Sequence, residues 1–180
     1  MQSKAFPTRQ RGLSLIECCM TLAIASILVG TAAPSFIEFN KKRVFDGSTN
    51  ELVTDLYFAR SAATAHQEGV RVSFRAVATG SCMLVHTGAT ADCTCDSAGV
   101  GQCSNGATLI KANYYSTARG INVAANVASI RFDPTHGMAT PAGTVRVTTS
   151  SGQSVNHIVN ITGRVRSCSP GGAVKGYKPC

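Results

Sequence analysis

Tryptophan is absent from the 180 residues, aromatics are only 6%, and charged side chains make up just 14%. With no Trp and few Phe or Tyr, a broad aromatic platform for carbohydrate or base stacking is excluded. No HExxH, GxSxG or phosphate-loop spacing occurs, so the common metallohydrolase, serine-hydrolase and nucleotide-binding constellations are missing. CxxC is missing as well, and with it the usual thiol-redox motif. The four histidines (His66, His86, His136 and His157) are scattered, and each reads as a surface or sheet-face residue rather than a ligand. These absences point away from an enzyme and imply no cofactor.

Acidic residues are also few, 9 against 17 Lys and Arg, for a formal net charge of +8. Such a balance permits contact with nucleic acid or acidic surfaces without demonstrating it. Part of it sits at the start, where Lys4, Arg9 and Arg11 precede Gly12 and a long apolar run. That run extends from Leu13 to Ala33 with Glu17 as its only charge. As a helix it is roughly 30 Å long, enough to span a bilayer. A secretory signal peptide has a shorter apolar core and a small-residue cleavage site. A plain signal anchor fits the length and the cytoplasmic placement of the basic flank. Neither accounts for Glu17, because an ionisable group inside a membrane segment is costly and calls for a partner.

The run Arg9-Gln10-Arg11-Gly12-Leu13-Ser14-Leu15-Ile16-Glu17 resembles the prepilin leader of type IV pilins and type II secretion pseudopilins. That resemblance implies a cut by a membrane prepilin peptidase between Gly12 and Leu13, with N-methylation of Leu13, which stands where the family usually has Phe. It also implies that Glu17 pairs with the N-terminal amine of a neighbouring subunit during assembly. Pro34 falls where many pilins carry a helix-kinking proline. The expected organisation is a leader over 1–12, a transmembrane helix over 13–34, its amphipathic continuation over 35–68, and a periplasmic domain over 69–180. The chain left after the leader has room for one membrane helix and one modest globular domain.

Eight cysteines are many for this length. Cys18 and Cys19, inside the membrane run, read as small hydrophobes. Cys82, Cys93, Cys95, Cys103, Cys168 and Cys180 follow it, and an even count in an oxidising compartment reads as disulfides. The alternative, a four-thiolate zinc site from Cys82, Cys93, Cys95 and Cys103, lacks the paired CxxC knuckles of common zinc sites. Cys168 and Cys180 bracket a Ser-Pro-Gly-Gly tail that their bond would staple. A Cys93–Cys95 bond would be strained, which leaves Cys103 with either Cys93 or Cys95, and Cys82 with the other.

After the membrane run, apolar residues recur at threes, fours and sevens from Phe36 to Ala63, and the helical pattern ends near His66. Every residue of this stretch reads as simple core packing. Asp46-Gly47-Ser48 interrupts it as a hinge or a break. Beyond Gly69 the period becomes two. Strands are expected at Val70–Phe74, Cys82–His86, Ser129–Phe132, Thr144–Thr149, Val155–Ile161 and Arg164–Cys168, with a turn at Ser150-Ser151-Gly152-Gln153. Thr87 to Gly106 reads as a long cysteine-bearing loop. The fold class is α+β, a long helix laid on an antiparallel sheet.

Leu56-Tyr-Phe-Ala-Arg60-Ser-Ala, Ile130-Arg-Phe132-Asp-Pro-Thr-His-Gly137, Thr144-Val-Arg-Val147 and Val159-Asn-Ile161-Thr-Gly163-Arg164-Val165-Arg166 resemble the GspH/FimT pseudopilins. The resemblance covers nearly all of the chain after Gly12 except the Cys-rich loop, residues 79–106. It implies a type IV pilin-like fold and a filament subunit that primes or caps assembly. In a strand, Arg164 and Arg166 share one face about 7 Å apart, on the scale of phosphate spacing along a nucleic acid, while Val165 turns to the core. Members with this Gly-Arg-x-Arg signature are implicated in DNA uptake. By that resemblance Arg164 and Arg166 contact double-stranded DNA phosphates with little sequence preference, extended by Lys175 and Lys178. The implied partners are other pilin subunits, the prepilin peptidase and the bacterial inner membrane. The alternatives are a type II secretion pseudopilin acting in protein export and a simple membrane-anchored binding domain.

Overall fold

The computed structural model describes Gly12 and residues 14–180. Lys4, Arg9, Arg11 and Leu13 therefore lie outside the described residues. The chain forms two compact units, one ending at Asn40 and the other spanning Lys41–Cys180. A single helix, α1 (Leu15–His66), runs from the first into the second. Ser14 caps its start. The Ser14 hydroxyl accepts the Glu17 N–H at 3.3 Å, and the Ser14 carbonyl accepts the Cys18 N–H at 3.2 Å.

In the first unit every described residue is exposed. The hydroxyls of Thr21, Ser26 and Thr31 each donate to carbonyls three or four residues back. The stretch is long and apolar enough to cross a membrane, and its hydroxyls are satisfied internally. The helix continues past Pro34 and also through Asp46-Gly47-Ser48, where the sequence pattern predicts a hinge or break. A helical glycine costs about 1 kcal/mol relative to Ala. Burying Phe45 and Leu52 on either side contributes roughly 2 kcal/mol each, so packing prevails over propensity.

The second unit is built on two antiparallel sheets. The first contains β1 (Val70–Val77), β2 (Gly80–His86), β5 (Leu109–Ser116), β7 (Ser129–Phe132) and β8 (Ala139–Thr140), in the order β5-β2-β1-β7-β8. The second contains β6 (Ile121–Ala125), β9 (Gly143–Thr149), β10 (Ser154–Val159) and β11 (Val165–Cys168), in the order β11-β10-β9-β6. A small hairpin pairs β3 (Cys93–Cys95) with β4 (Gly101–Cys103). Phe45, Leu52, Leu56, Ala59, Ala62 and Ala63 of α1 share one core with the inward residues of both sheets. Among the described residues, every buried one lies at or beyond Phe45, so this unit carries a complete core of its own.

The expected Thr87–Gly106 loop is instead largely this hairpin, folded against β2. Cys82, Leu84 and His86 project from the face of β2 opposite the main core, yet each is at most 2% exposed. Gly101 lies against Leu84, and the Cys82–Cys95 bond ties β3 to β2. The hairpin thus makes a second, smaller apolar layer. Strands β5 and β6 have no counterpart among the expected strands. In β5 the inward residues are Lys111, Asn113 and Tyr115, so its alternation is polar towards α1 and does not register as a buried strand. There Lys111 Nζ donates to Asp55 Oδ1 at 2.6 Å, and Asn113 donates to the other oxygen. Asp55 is 2% exposed, and its carboxylate pins the helix to the first sheet.

Candidate functional site

Two regions carry the candidate residues. At the N-terminal end, Gly12 is exposed. Glu17 occupies the third helical position, its backbone amide on the Ser14 cap, and its side chain is exposed. It is the only charged residue between Ser14 and Ile37.

The second region is the corner where the motifs of α1, the β7–β8 turn and β11 meet. Asp133 organises the β7–β8 turn, its carboxylate accepting the His136 N–H at 2.7 Å and the Thr135 N–H at 3.2 Å. Those two bonds hold its carboxyl below the usual carboxylate range. The turn ends at Gly137, whose carbonyl accepts Arg60 Nε–H at 3.1 Å. Ala139 N–H then donates to Ile161 O at 2.9 Å, joining this turn to the one that leads into β11.

That second turn is built by Asn160. Its side-chain oxygen accepts the Arg164 N–H at 2.9 Å and the Thr162 hydroxyl at 2.8 Å. Gly163 sits at φ +73°, and a Cβ there would collide with the Gly137 carbonyl oxygen. Glycine is required by both conformation and space. Val165 turns inward, as expected, while Arg164 and Arg166 are exposed; the strand begins at Val165, so Arg164 belongs to the turn rather than to the expected strand. β11 is the edge of its sheet, and Tyr57 Oη donates to Val165 O at 3.1 Å across that edge. Tyr57 and Arg60, one helical turn apart, therefore fix the turn that carries Arg164 and the strand, beginning at Val165, that carries Arg166. Their place in the helix pattern signals only core packing, so sequence reasoning misses this role. Together with Ser61, Thr64 and His136 they line an open cleft of about 350 Å³.

Among the described residues, no hydrogen bond or ion pair engages the guanidinium of Arg164 or Arg166. The surrounding sequence is poor in counter-charge. From Ser97 to Cys180 it holds eight Lys and Arg but a single carboxylate side chain, Asp133. Lys175 and Lys178 are exposed on a tail anchored beside β11. Ser169 N–H donates to Lys178 O at 2.9 Å, Cys180 N–H donates to Ser169 O at 3.2 Å, and the Cys168–Cys180 bond closes the loop.

The remaining cysteines pair as Cys82–Cys95 and Cys93–Cys103, one of the two arrangements left open by the sequence. All four thiols of the zinc alternative are thereby consumed. Cys18 and Cys19 are free. Two histidines expected at the surface or on a sheet face are fully buried. His86 lies under the hairpin, with Nε2 2.8 Å from Ser73 Oγ and Nδ1 2.7 Å from Thr87 O. His157 faces the core of the second sheet, where Nδ1 lies 2.8 Å from Ser167 Oγ and Nε2 has no partner. Burial pulls its pKa down to about 4.

Against known proteins, the family model described as "Type II transport protein GspH" matches residues 48–163. The match takes in the C-terminal part of α1, the first sheet, the Cys-rich hairpin and the turn ending at Gly163. No curated protein and no solved structure matches the chain.

Proposed function

The chain belongs to the GspH family of type II transport proteins, and on that basis we propose that it is a minor pilin or pseudopilin of a type IV pilus-like filament. The observation that carries this reading is the division of α1. From Phe45 onward the helix enters a core, whereas before Asn40 its Leu15, Ile16, Leu22, Val29 and Phe36 are 67–84% exposed. An apolar surface of that length needs a bilayer first and the helices of other subunits afterwards.

In this reading the chain is inserted in the bacterial inner membrane with residues 69–180 in the periplasm, an oxidising compartment that suits three disulfides. Prepilin peptidase cuts between Gly12 and Leu13, and the new amine is methylated. Glu17 then meets the amine of a neighbouring subunit, each neutralising the other inside the apolar filament. The role is structural, in priming or capping the filament, and no catalytic step is assigned to the chain.

Arg164 and Arg166 supply the second function, contact with double-stranded DNA through its phosphates. What supports it is an exposed, rigidly mounted guanidinium pair in a region almost without carboxylates. Two to four such contacts give weak binding, on the order of micromolar, that falls steeply with salt. The competing reading is a type II secretion pseudopilin acting in protein export, with the two arginines as a solvated edge. The test uses the unit Lys41–Cys180, oxidised, against a labelled duplex between about 50 and 200 mM salt. Salt-sensitive binding that the Arg164→Ala/Arg166→Ala variant loses supports DNA contact. No binding by the folded unit leaves filament priming or protein export, with the two arginines as a solvated edge.

A further inference from the structure

We infer that Arg146 is a third phosphate-binding residue, and that the binding surface is the outer face of the second sheet rather than the β11 edge alone. The inference rests on the DNA reading above and extends it to the geometry of the ligand. It starts from strand register. Along β10, Val155, His157 and Val159 are buried, so Asn156 and Ile158 face outward. Ile158 is the register partner of Arg166, and Asn156 is the partner of both Cys168 and Arg146. Arg146 therefore stands on the same face as Arg166, two strands inward and two residues along. With strands about 4.8 Å apart and residues about 3.4 Å apart along each strand, Arg146 lies roughly 12 Å from Arg166.

Arg146 is also aimed. Its Nε donates to Asn156 Oδ1 at 3.0 Å, which draws the guanidinium across β10 towards β11. Asn156 is neutral, so it orients the cation without cancelling its charge. The other end of that amide, Nδ2, lies 3.8 Å from Cys180 Sγ. The tail staple thus borders the amide that positions Arg146. None of the four strands of this sheet contains an Asp or Glu.

Two arginines along one edge and a third set back by two strands form a triangle, not a line. A single nucleic-acid strand offers one row of phosphates. A duplex offers two rows facing each other across a groove, about 6 Å or 12 Å wide in B-form. The arrangement matches the duplex, with Arg164 and Arg166 on one backbone and Arg146 on the other.

The test measures binding of the oxidised Lys41–Cys180 unit to a labelled duplex and to a single strand of the same length, as a function of salt. The variants are Arg146→Gln, Asn156→Ala and, as a control for net charge, Arg119→Gln, an exposed arginine outside the second sheet. Arg146→Gln is expected to weaken duplex binding several-fold and to lower the salt slope by about 0.9, with Arg119→Gln near wild type. Asn156→Ala, which leaves every charge in place, is expected to weaken duplex binding by a smaller factor with little change in single-strand binding. If Arg146→Gln matches wild type while Arg164→Ala/Arg166→Ala abolishes binding, the inference falls and the DNA reading stands. Equal losses from Arg146→Gln and Arg119→Gln would reduce the effect to net charge and overturn it too. Failure of the wild-type unit to bind any duplex would remove both.

Discussion

The residues that matter most here are defined by what surrounds them rather than by their type. Gly163 is small because it meets the Gly137 backbone carbonyl, and Gly137, at φ +62°, because it lies against the Arg60 side chain, where α1, the β7–β8 turn and β11 converge. His157 shows the same dependence. In the unfolded chain its imidazole titrates near 6.5, whereas in the fold burial holds its pKa at about 4. The folded pKa is depressed, so the contribution is fully present above pH 6.5 and is lost as the pH falls towards 4. A loss on the order of 3 kcal/mol is expected across that window, and burial of His86 acts in the same direction. Denaturant unfolding of the Lys41–Cys180 unit at pH 7.5 and 4.5 checks this, with His157→Gln expected to flatten the profile. A wild-type profile already flat over that range would contradict it. The sequence showed four scattered histidines; the alternation of β10 puts His157 on the face of Val155 and Val159, whereas His86 is covered by the hairpin, which was not legible there.

At the scale of elements, patterning was legible over most apolar faces, though the short β6, with Ile121 and Val123 inward, was missed. The 3.6-residue period of α1 and the alternation of β1, β7, β9 and β10 all follow from inward Val, Ile, Leu and Phe. It failed where the inward face is polar. β5 presents Lys111 and Asn113 to the helix because Asp55 is waiting for them, and a local pattern does not reveal a partner 56 residues away. The cost of removing one side of that arrangement measures its importance. Lys111→Met is expected to destabilise by about 2–3 kcal/mol. That is less than the roughly 3–5 kcal/mol for breaking a fully buried pair, because the Lys111 side chain is 39% exposed. Adding Asp55→Asn should recover part of the loss, since the orphaned charge is then gone. If urea unfolding finds Lys111→Met no less stable than an ordinary surface ion-pair deletion, about 0.5 kcal/mol, the pair does not hold the helix. The Gly47 position makes the reverse point: a strong local breaker stayed helical because Phe45 and Leu52 beside it are buried.

The whole molecule joins a helix that is exposed along its first unit to a domain whose second sheet is free of carboxylates. Of this, the membrane-length run, Glu17 and the Gly-Arg-x-Arg turn were legible from sequence, since each is a local pattern with a chemical meaning. The corner made by Tyr57, Arg60, Gly137 and Gly163 was not, because its hydrogen bonds join residues 77 and 108 positions apart. That corner links the helix proposed to pack in a filament to the strand proposed to meet DNA. The filament role is the central claim, and the most direct measurement is the intact mass and N-terminal sequence of the full chain recovered from membranes containing prepilin peptidase. A chain beginning at N-methylated Leu13, with the Gly12→Ala variant left at full length, is the predicted result. Normal processing of Gly12→Ala, or a wild-type chain that still begins at Met1, would contradict the account.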